Sequence, residues 1–174
     1  MDNAFQLAVK VNGADVAKAV EPRTHLIDFL RNELGLTGSH IGCEHGVCGA
    51  CTVLVDGEIV RGCLTLACQT HGTEVQTVEG LTESGAIADL QAAFHQRNAL
   101  QCGYCTSGML ACATALLKEK PHASRAEIRE YLSGNYCRCT GYEAIVDAIE
   151  TTAKNRAAGK GLGNTAANIA REAA

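Results

Sequence analysis

The rhythm of apolar positions changes near the middle of the chain. Residues 5–20 alternate loosely between apolar and polar types around Asn12-Gly13, a dipeptide suited to a type I′ turn, and so predict a hairpin of two short strands. Leu26, Ile27, Leu30 and Leu34 then fall at helical spacing, after Pro22 and Thr24 and before Gly35, so a helix is expected to pack on that hairpin. A glycine-rich stretch without periodicity occupies residues 37–50. Residues 52–60, divided by Asp56-Gly57, predict a second hairpin, and residues 74–78 a further strand. This first half reads as α+β and ends near Gly80.

Beyond Gly80 the period becomes helical. Ile87, Leu90 and Phe94 form one group, Met109, Leu110, Ala113, Leu116 and Leu117 a second, and Tyr142, Ile145, Val146 and Ile149 a third. Between the second and third, Ser124-Arg125-Ala126-Glu127 has the form of a capping box, and Pro121 ends the element before it. Four helices in a small bundle are predicted. From Lys154 onward Ala and Gly dominate, with Leu162 and Ile169 as the large apolar side chains, so the tail is expected to order against a partner. The expected organisation is residues 1–80, residues 81–156 and a tail over residues 157–174.

Composition narrows the function classes. A net charge of -4 with Lys and Arg scattered along the chain argues against a nucleic-acid surface. No apolar run approaches the roughly 20 residues that span a bilayer, so direct membrane insertion is not expected. Residues 1–11 lack a cationic start followed by an apolar core, and a cytoplasmic location is the expectation that follows. Ten cysteines then need a chemical reason, because a reducing compartment disfavours disulfides and leaves metal or cluster ligation as the leading idea.

The cysteines form two groups. Cys43, Cys48 and Cys51 have the C-x4-C-x2-C spacing of a plant-type 2Fe-2S ferredoxin, which needs a fourth, more distant cysteine. Cys63 and Cys68 are the candidates. If Asp56-Gly57 is the turn, Cys51 faces Gly62 and Cys63 lies beside Cys51, whereas Cys68 is five residues further on, up to roughly 16 Å away if extended. Cys63 is therefore the expected ligand. Gly42, Gly46 and Gly49 suit a loop that wraps an inorganic core. A four-cysteine zinc site would favour paired knuckles of C-x2-C type, and this spacing fits that poorly. His45 stands alone beside a complete set of cysteines and reads as a solvated loop residue.

In the second group, Cys102 and Cys105 precede a helix expected near Ser107, and Cys137 and Cys139 precede one expected near Tyr142. If those helices lie side by side, four thiolates converge where free N–H groups and positive dipole ends favour an anionic 2Fe-2S cluster, with Arg138 adding compensating charge. The C-x1-C pair is too tight for the common zinc spacings. A thioredoxin-like role for Cys102 and Cys105 would need a βαβ setting. Cys68 and Cys112 remain over and are expected to be packing residues. The chain shows no Gly-rich nucleotide fingerprint.

Three segments carry a family resemblance: Gly42-Cys43-Glu44-His45-Gly46-Val47-Cys48-Gly49-Ala50-Cys51, Gln101-Cys102-Gly103-Tyr104-Cys105-Thr106, and Gly134-Asn135-Tyr136-Cys137-Arg138-Cys139-Thr140-Gly141-Tyr142. Over nearly the whole chain to about residue 156 it resembles the small iron-sulfur subunit of the molybdenum hydroxylases, the xanthine oxidase and aldehyde oxidoreductase family. The resemblance implies a β-grasp ferredoxin domain followed by a four-helix domain, each with one 2Fe-2S cluster. It also implies a large subunit with a molybdopterin-bound molybdenum centre, which hydroxylates an aldehyde or a carbon of an N-heterocycle with oxygen from water. Electrons then pass through the helical-domain cluster and the ferredoxin-type cluster, usually to FAD in a medium subunit.

On that resemblance the chain is part of an oxidoreductase without being catalytic by itself, and Gln101 and Cys139 approach the pterin. Ser107 stands where many relatives place proline, and serine suits a helix start. The competing reading is a stand-alone ferredoxin-type electron carrier, against which the second cysteine quartet argues. A structural zinc protein is a third possibility, separable at once by its lack of colour.

Overall fold

The computed structural model describes residues 4–160. Strands β1 (Phe5–Val11) and β2 (Ala14–Val20) pair antiparallel from Phe5↔Val20 to Val11↔Ala14. Asn12 and Gly13 take φ of 51° and 82°, the left-handed pair that a type I′ turn requires. The second hairpin is built the same way. Strands β3 (Thr52–Val55) and β4 (Glu58–Arg61) flank Asp56 and Gly57 at φ 50° and 86°, in the register Val55↔Glu58 to Thr52↔Arg61. Strand β5 (Glu74–Gln76) runs parallel to β1 and antiparallel to β3, which gives the sheet order β2-β1-β5-β3-β4.

Helix α1 (Leu26–Asp28) continues as wider π-type turns over Phe29–Glu33. It is entered from His25 rather than from Thr24. Leu26, Phe29 and Leu30 from this segment, with Leu7, Val9, Val11, Val53 and Val75 from the sheet, form the first core. The four expected helices are α3 (Ala88–Gln96), α4 (Thr106–Glu119), α5 (Arg125–Tyr131) and α6 (Glu143–Ala157), preceded by a short α2 (Val78–Glu83). Their apolar faces meet in a second core that includes Leu90, Phe94, Met109, Leu116, Ile128, Ile145 and Ile149. Helix α5 starts on the expected capping box: Ser124 Oγ accepts from Glu127 N, and Glu127 Oε2 accepts from Ser124 N at 2.9 Å. The Ser124 N–H and hydroxyl, both donating to the Glu127 carboxylate, and Lys120 beside it lower that carboxyl to about 2.

The structure adds to the sequence reading at three points. Gly80, taken as the end of the first half, lies inside α2, where an added Cβ would sit 2.3 Å from Asn12 Oδ1. That glycine permits close packing on the first turn, where the Asn12 side chain donates to Thr77 Oγ1 and accepts from Thr77 N. The tail begins later than Lys154. Arg156, still in α6, forks onto Asp89 through bonds of 2.7 and 2.8 Å and ties α6 to α3, while residues 161–174 lie outside the described residues. Third, Ser107 does not cap α4. Cys105 holds the cap position, and the Ser107 hydroxyl is buried without a partner among the described residues.

The two halves are joined through β3, which is buried on both faces. Val53 points into the first core and Leu54 into the second, as period-two alternation demands. Helix α4 lies against this strand, and its Gly108 approaches the Gly49 carbonyl so closely that an added Cβ would stand 2.2 Å from that oxygen. Gly108→Ala is therefore expected to destabilise the chain. Overpacking against backbone costs about 1–3 kcal/mol, more than the gain of up to about 1 kcal/mol from alanine's helix propensity. The denaturant midpoint should fall, and an unchanged or raised midpoint would show that the contact relaxes freely.

Candidate iron-sulfur sites

All ten cysteines are free thiols, and the eight expected ligands lie as neighbouring pairs in two regions. The first quartet is set by the second hairpin and the loop before it. Gly62 N donates to Cys51 O at 3.1 Å, so the β3–β4 ladder continues one step past Thr52↔Arg61 and brings Cys63 beside Cys51. The two thiols are neighbours, both buried. Cys43 and Cys48 form the other pair. Their loop turns through Glu44, Gly46 and Gly49 at φ 56°, 74° and 77°. A side chain at Gly42 would press on Cys48 Sγ at 3.0 Å, and one at Gly46 would strike Leu64 at 2.2 Å.

The thiol environments differ within this loop. The N–H groups of His45 and Cys48 each donate to Cys43 Sγ at 3.4 Å and bring that thiol down to about 6. Burial, with the neighbouring Cys63 thiol adding to it, pushes Cys51 up to about 11. His45 is exposed and turns its ring nitrogen to the Cys43 carbonyl, away from the sulfurs.

The second quartet joins the start of α4 to the turn before α6. Cys102 Sγ and Cys139 Sγ are 3.5 Å apart, and Cys105 neighbours Cys137. Cys105 abuts α4 directly. Cys137 and Cys139 do not abut α6, which starts at Glu143 behind Tyr142 at φ 68°. Their turn is held instead by Thr140 Oγ1, 3.1 Å from Cys137 Sγ, and by Tyr142 OH, which accepts from Cys137 N at 3.0 Å. Burial raises Cys105 to about 12, with Cys137 adding to it. At Cys137 burial pulls the same way, but bonds from Thr140 and the backbone outweigh it and lower that thiol. Gln101, exposed, donates its amide to the Cys139 carbonyl at 3.0 Å and ties the two cysteine segments together.

The donor set fits a two-iron core better than a single ion. Among the described residues no three His, Cys, Asp or Glu side chains gather closely enough to hold one ion. The sulfurs come as pairs, two pairs to each site, which is the division that two thiolates on each of two irons require. A glycine-lined loop and N–H groups aimed at sulfur supply room and hydrogen bonds for an anionic core.

Between the quartets runs a polar seam that sequence reasoning missed. Tyr136 N donates to Cys48 O at 2.8 Å. Asn135 Nδ2 donates to Gly49 O at 3.3 Å, and its Oδ1 accepts from Cys112 Sγ at 3.2 Å and from Arg61 Nη2 at 3.1 Å. Tyr104, before Cys105, stacks on His40 at 4.5 Å and donates to Ile41 O at 2.5 Å. Cys112 is thus a buried hydrogen-bond donor in the seam rather than plain packing, and burial pushes its thiol up. Cys68 is half-buried and donates to Pro22 O at 3.3 Å, remote from the apolar packing expected of it. Arg138 is exposed. Asn135 lay inside a quoted motif and Arg61 two residues before Cys63, but neither position announces a contact across the domains.

A ferredoxin-type sheet and a helical domain, each with a cysteine quartet, define a two-domain iron-sulfur electron-transfer protein. Residues 9–73 match the model for the 2Fe-2S iron-sulfur cluster binding domain and residues 77–150 that for the 2Fe-2S binding domain. The chain is 54% identical over 144 residues to the nicotine 6-hydroxylase small subunit of Paenarthrobacter nicotinovorans, covering 83% of this chain and 87% of that protein. Among solved structures it resembles quinoline 2-oxidoreductase from Pseudomonas putida 86, with a TM-score of 0.85 and 52% identity over 91% of this chain and 98% of that one. It also resembles aldehyde oxidoreductase from Desulfovibrio gigas, with a TM-score of 0.85 and 36% identity over 92% of this chain but 18% of that one. The chain belongs to the family of small 2Fe-2S subunits of the molybdenum hydroxylases. Its role is electron transfer within an oxidoreductase complex.

The choice of fourth ligand is open to direct test. Cys63→Ala should abolish the ferredoxin-type signal in electron paramagnetic resonance, while Cys68→Ala keeps both signals. Cys112→Ala should also keep both but lose on the order of 1 kcal/mol, measured by chemical denaturation, from the void and the lost bond to Asn135. Loss of the signal in the Cys68 variant with retention in the Cys63 variant would reverse the assignment.

Proposed function

We propose that Cys43, Cys48, Cys51 and Cys63 bind one 2Fe-2S cluster and Cys102, Cys105, Cys137 and Cys139 a second, within a domain of residues 1–80 and one of residues 81–156. When bound, each such cluster takes up and returns one electron at a time. The chain's own part is to fix the two sites side by side, to exclude water from the buried sulfurs of Cys51 and Cys63, and to offer hydrogen bonds that set each potential. The observation that carries this reading is the bond from Tyr136 N to Cys48 O. It links a residue of one quartet to the neighbour of Cys137 in the other, through covalent bonds and a single hydrogen bond.

Direction follows from exposure. Cys102 is exposed and Cys139 half-exposed, at the face where Gln101 bridges the two cysteine segments. We assign this face to the large molybdopterin-binding subunit, with Gln101 at the cofactor's edge and the Cys139 sulfur as the entry point. A glutamine amide both donates and accepts, and here one N–H is used on Cys139 while the rest remain available to a heterocycle. The electron leaves from the ferredoxin-type site, to FAD in a medium subunit or to another acceptor. The complex is assigned to the cytoplasm, and none of the described helices is long and apolar enough to cross a membrane. A stand-alone ferredoxin would have no need of a second site locked to the first by the Asn135 seam.

The fully loaded chain is expected to hold four iron and four sulfide, with two distinguishable signals on reduction. Two iron per loaded chain would sink the two-cluster reading. Gln101→Ala should assemble both clusters yet slow their reduction by substrate in the complete enzyme, followed by rapid-freeze spectroscopy. Wild-type rates with normal assembly would remove Gln101 from the path.

A further inference from the structure

Arg61 sits where the two cysteine sites meet, and none of its charge is spent on a carboxylate. It is partly buried at the end of β4, and among the described residues it has no Asp or Glu partner. Its hydrogen-bond partners are neutral: Nη2 donates to Gly134 O at 2.8 Å and to Asn135 Oδ1 at 3.1 Å, and Nη1 donates to Thr52 Oγ1, with the buried Cys112 thiol also beside it. Thr52, itself 1% exposed, donates its hydroxyl to Gly49 O at 2.7 Å. The segments these partners lie in each carry a cysteine of a quartet. Thr52 follows Cys51, Gly49 follows Cys48, Cys63 lies two residues past Arg61, and Gly134 and Asn135 lead into Cys137.

A cation held away from water normally requires an anion, because desolvation is costly and neutral dipoles solvate the charge without cancelling it. The anion that this environment can offer is the cluster itself. Two ferric ions set against two sulfides and four thiolates leave the oxidised centre a dianion, and an added electron makes it a trianion. A nearby cation favours the reduced form, and in a partly buried seam that attraction is weakly screened. Resting on the two-cluster reading above, we propose that Arg61 is a positioning residue that serves as a shared counter-charge for both cysteine quartets and holds up the reduction potentials of both clusters. The guanidinium fork suits the task because it bridges the ferredoxin strand and the Gly134-Asn135 segment in one rigid plane.

The competing explanation is a neutral clamp, in which Arg61 only ties the domains together. Charge and clamp separate in two variants of the full chain, purified in its complex: Arg61→Lys keeps the charge and loses the fork, and Arg61→Gln keeps a polar side chain and loses the charge. Iron and sulfide analysis comes first, followed by a redox titration of both signals. The expected result is that both midpoint potentials fall in Arg61→Gln and stay near wild type in Arg61→Lys. Failure of Arg61→Gln alone to load, with Arg61→Lys loaded at wild-type potentials, also supports the counter-charge. Unshifted potentials in a loaded Arg61→Gln, an equal fall in Arg61→Lys, or failure of both variants to load would overturn it. A shift confined to one signal would overturn the shared role. Fewer than four iron in the wild-type chain would instead overturn the two-cluster reading on which the inference stands.

Discussion

The close approach of α4 to the ferredoxin loop is the constraint on which the rest depends. Gly108 has no Cβ, and the Gly49 carbonyl occupies the space where one would be. Gly49 is constrained in turn, since a Cβ there would lie 2.6 Å from Asn135 and 2.7 Å from the Gly134 carbonyl. Two glycines from different domains thus allow backbone to meet backbone. That distance lets Asn135 reach Gly49 and Tyr136 reach Cys48. Without it the two cysteine quartets would be separate sites on a flexible chain.

The same contact makes the domains one folded unit although each has its own core. Strand β3 serves both, with Val53 facing one and Leu54 the other, and Cys51 at its start belongs to the first quartet. A sheet strand that feeds a cysteine site at its end and carries a helix on its outer face couples the position of one site to the packing of the other. The thiols also sit in unlike settings, Cys43 in a loop of donating N–H groups and Cys105 half-buried at a helix start. Different hydrogen bonding and burial give two clusters different potentials, which suits sequential transfer.

What could be read from the sequence was what is decided locally. Asn12-Gly13 and Asp56-Gly57 specify their turns by backbone preference alone, and the second turn fixed the register that separates Cys63 from Cys68. The Ser124 capping box is a four-residue device and was equally legible. The cysteine spacings and the motifs around them carried the family. What depends on a distant partner stayed hidden. The close packing of Gly80 was hidden because its partner, Asn12, is far away in sequence. Residues 52–55 showed no sign of being buried on both faces, and Arg61, Asn135 and Cys112 acquire their roles only across the interface. Ser107 was assigned to a cap by its residue type, yet the helix starts one residue earlier, at Thr106, with Cys105 in the cap position.

The central claim is that the seam holds two clusters close enough to act as one relay. The most direct test is the spin interaction between them, measured by electron paramagnetic resonance and its power saturation on half-reduced and fully reduced protein. The account predicts that each signal broadens and relaxes faster once its neighbour also carries an unpaired electron. Two signals that simply add at full reduction, unchanged in width and saturation, would contradict it.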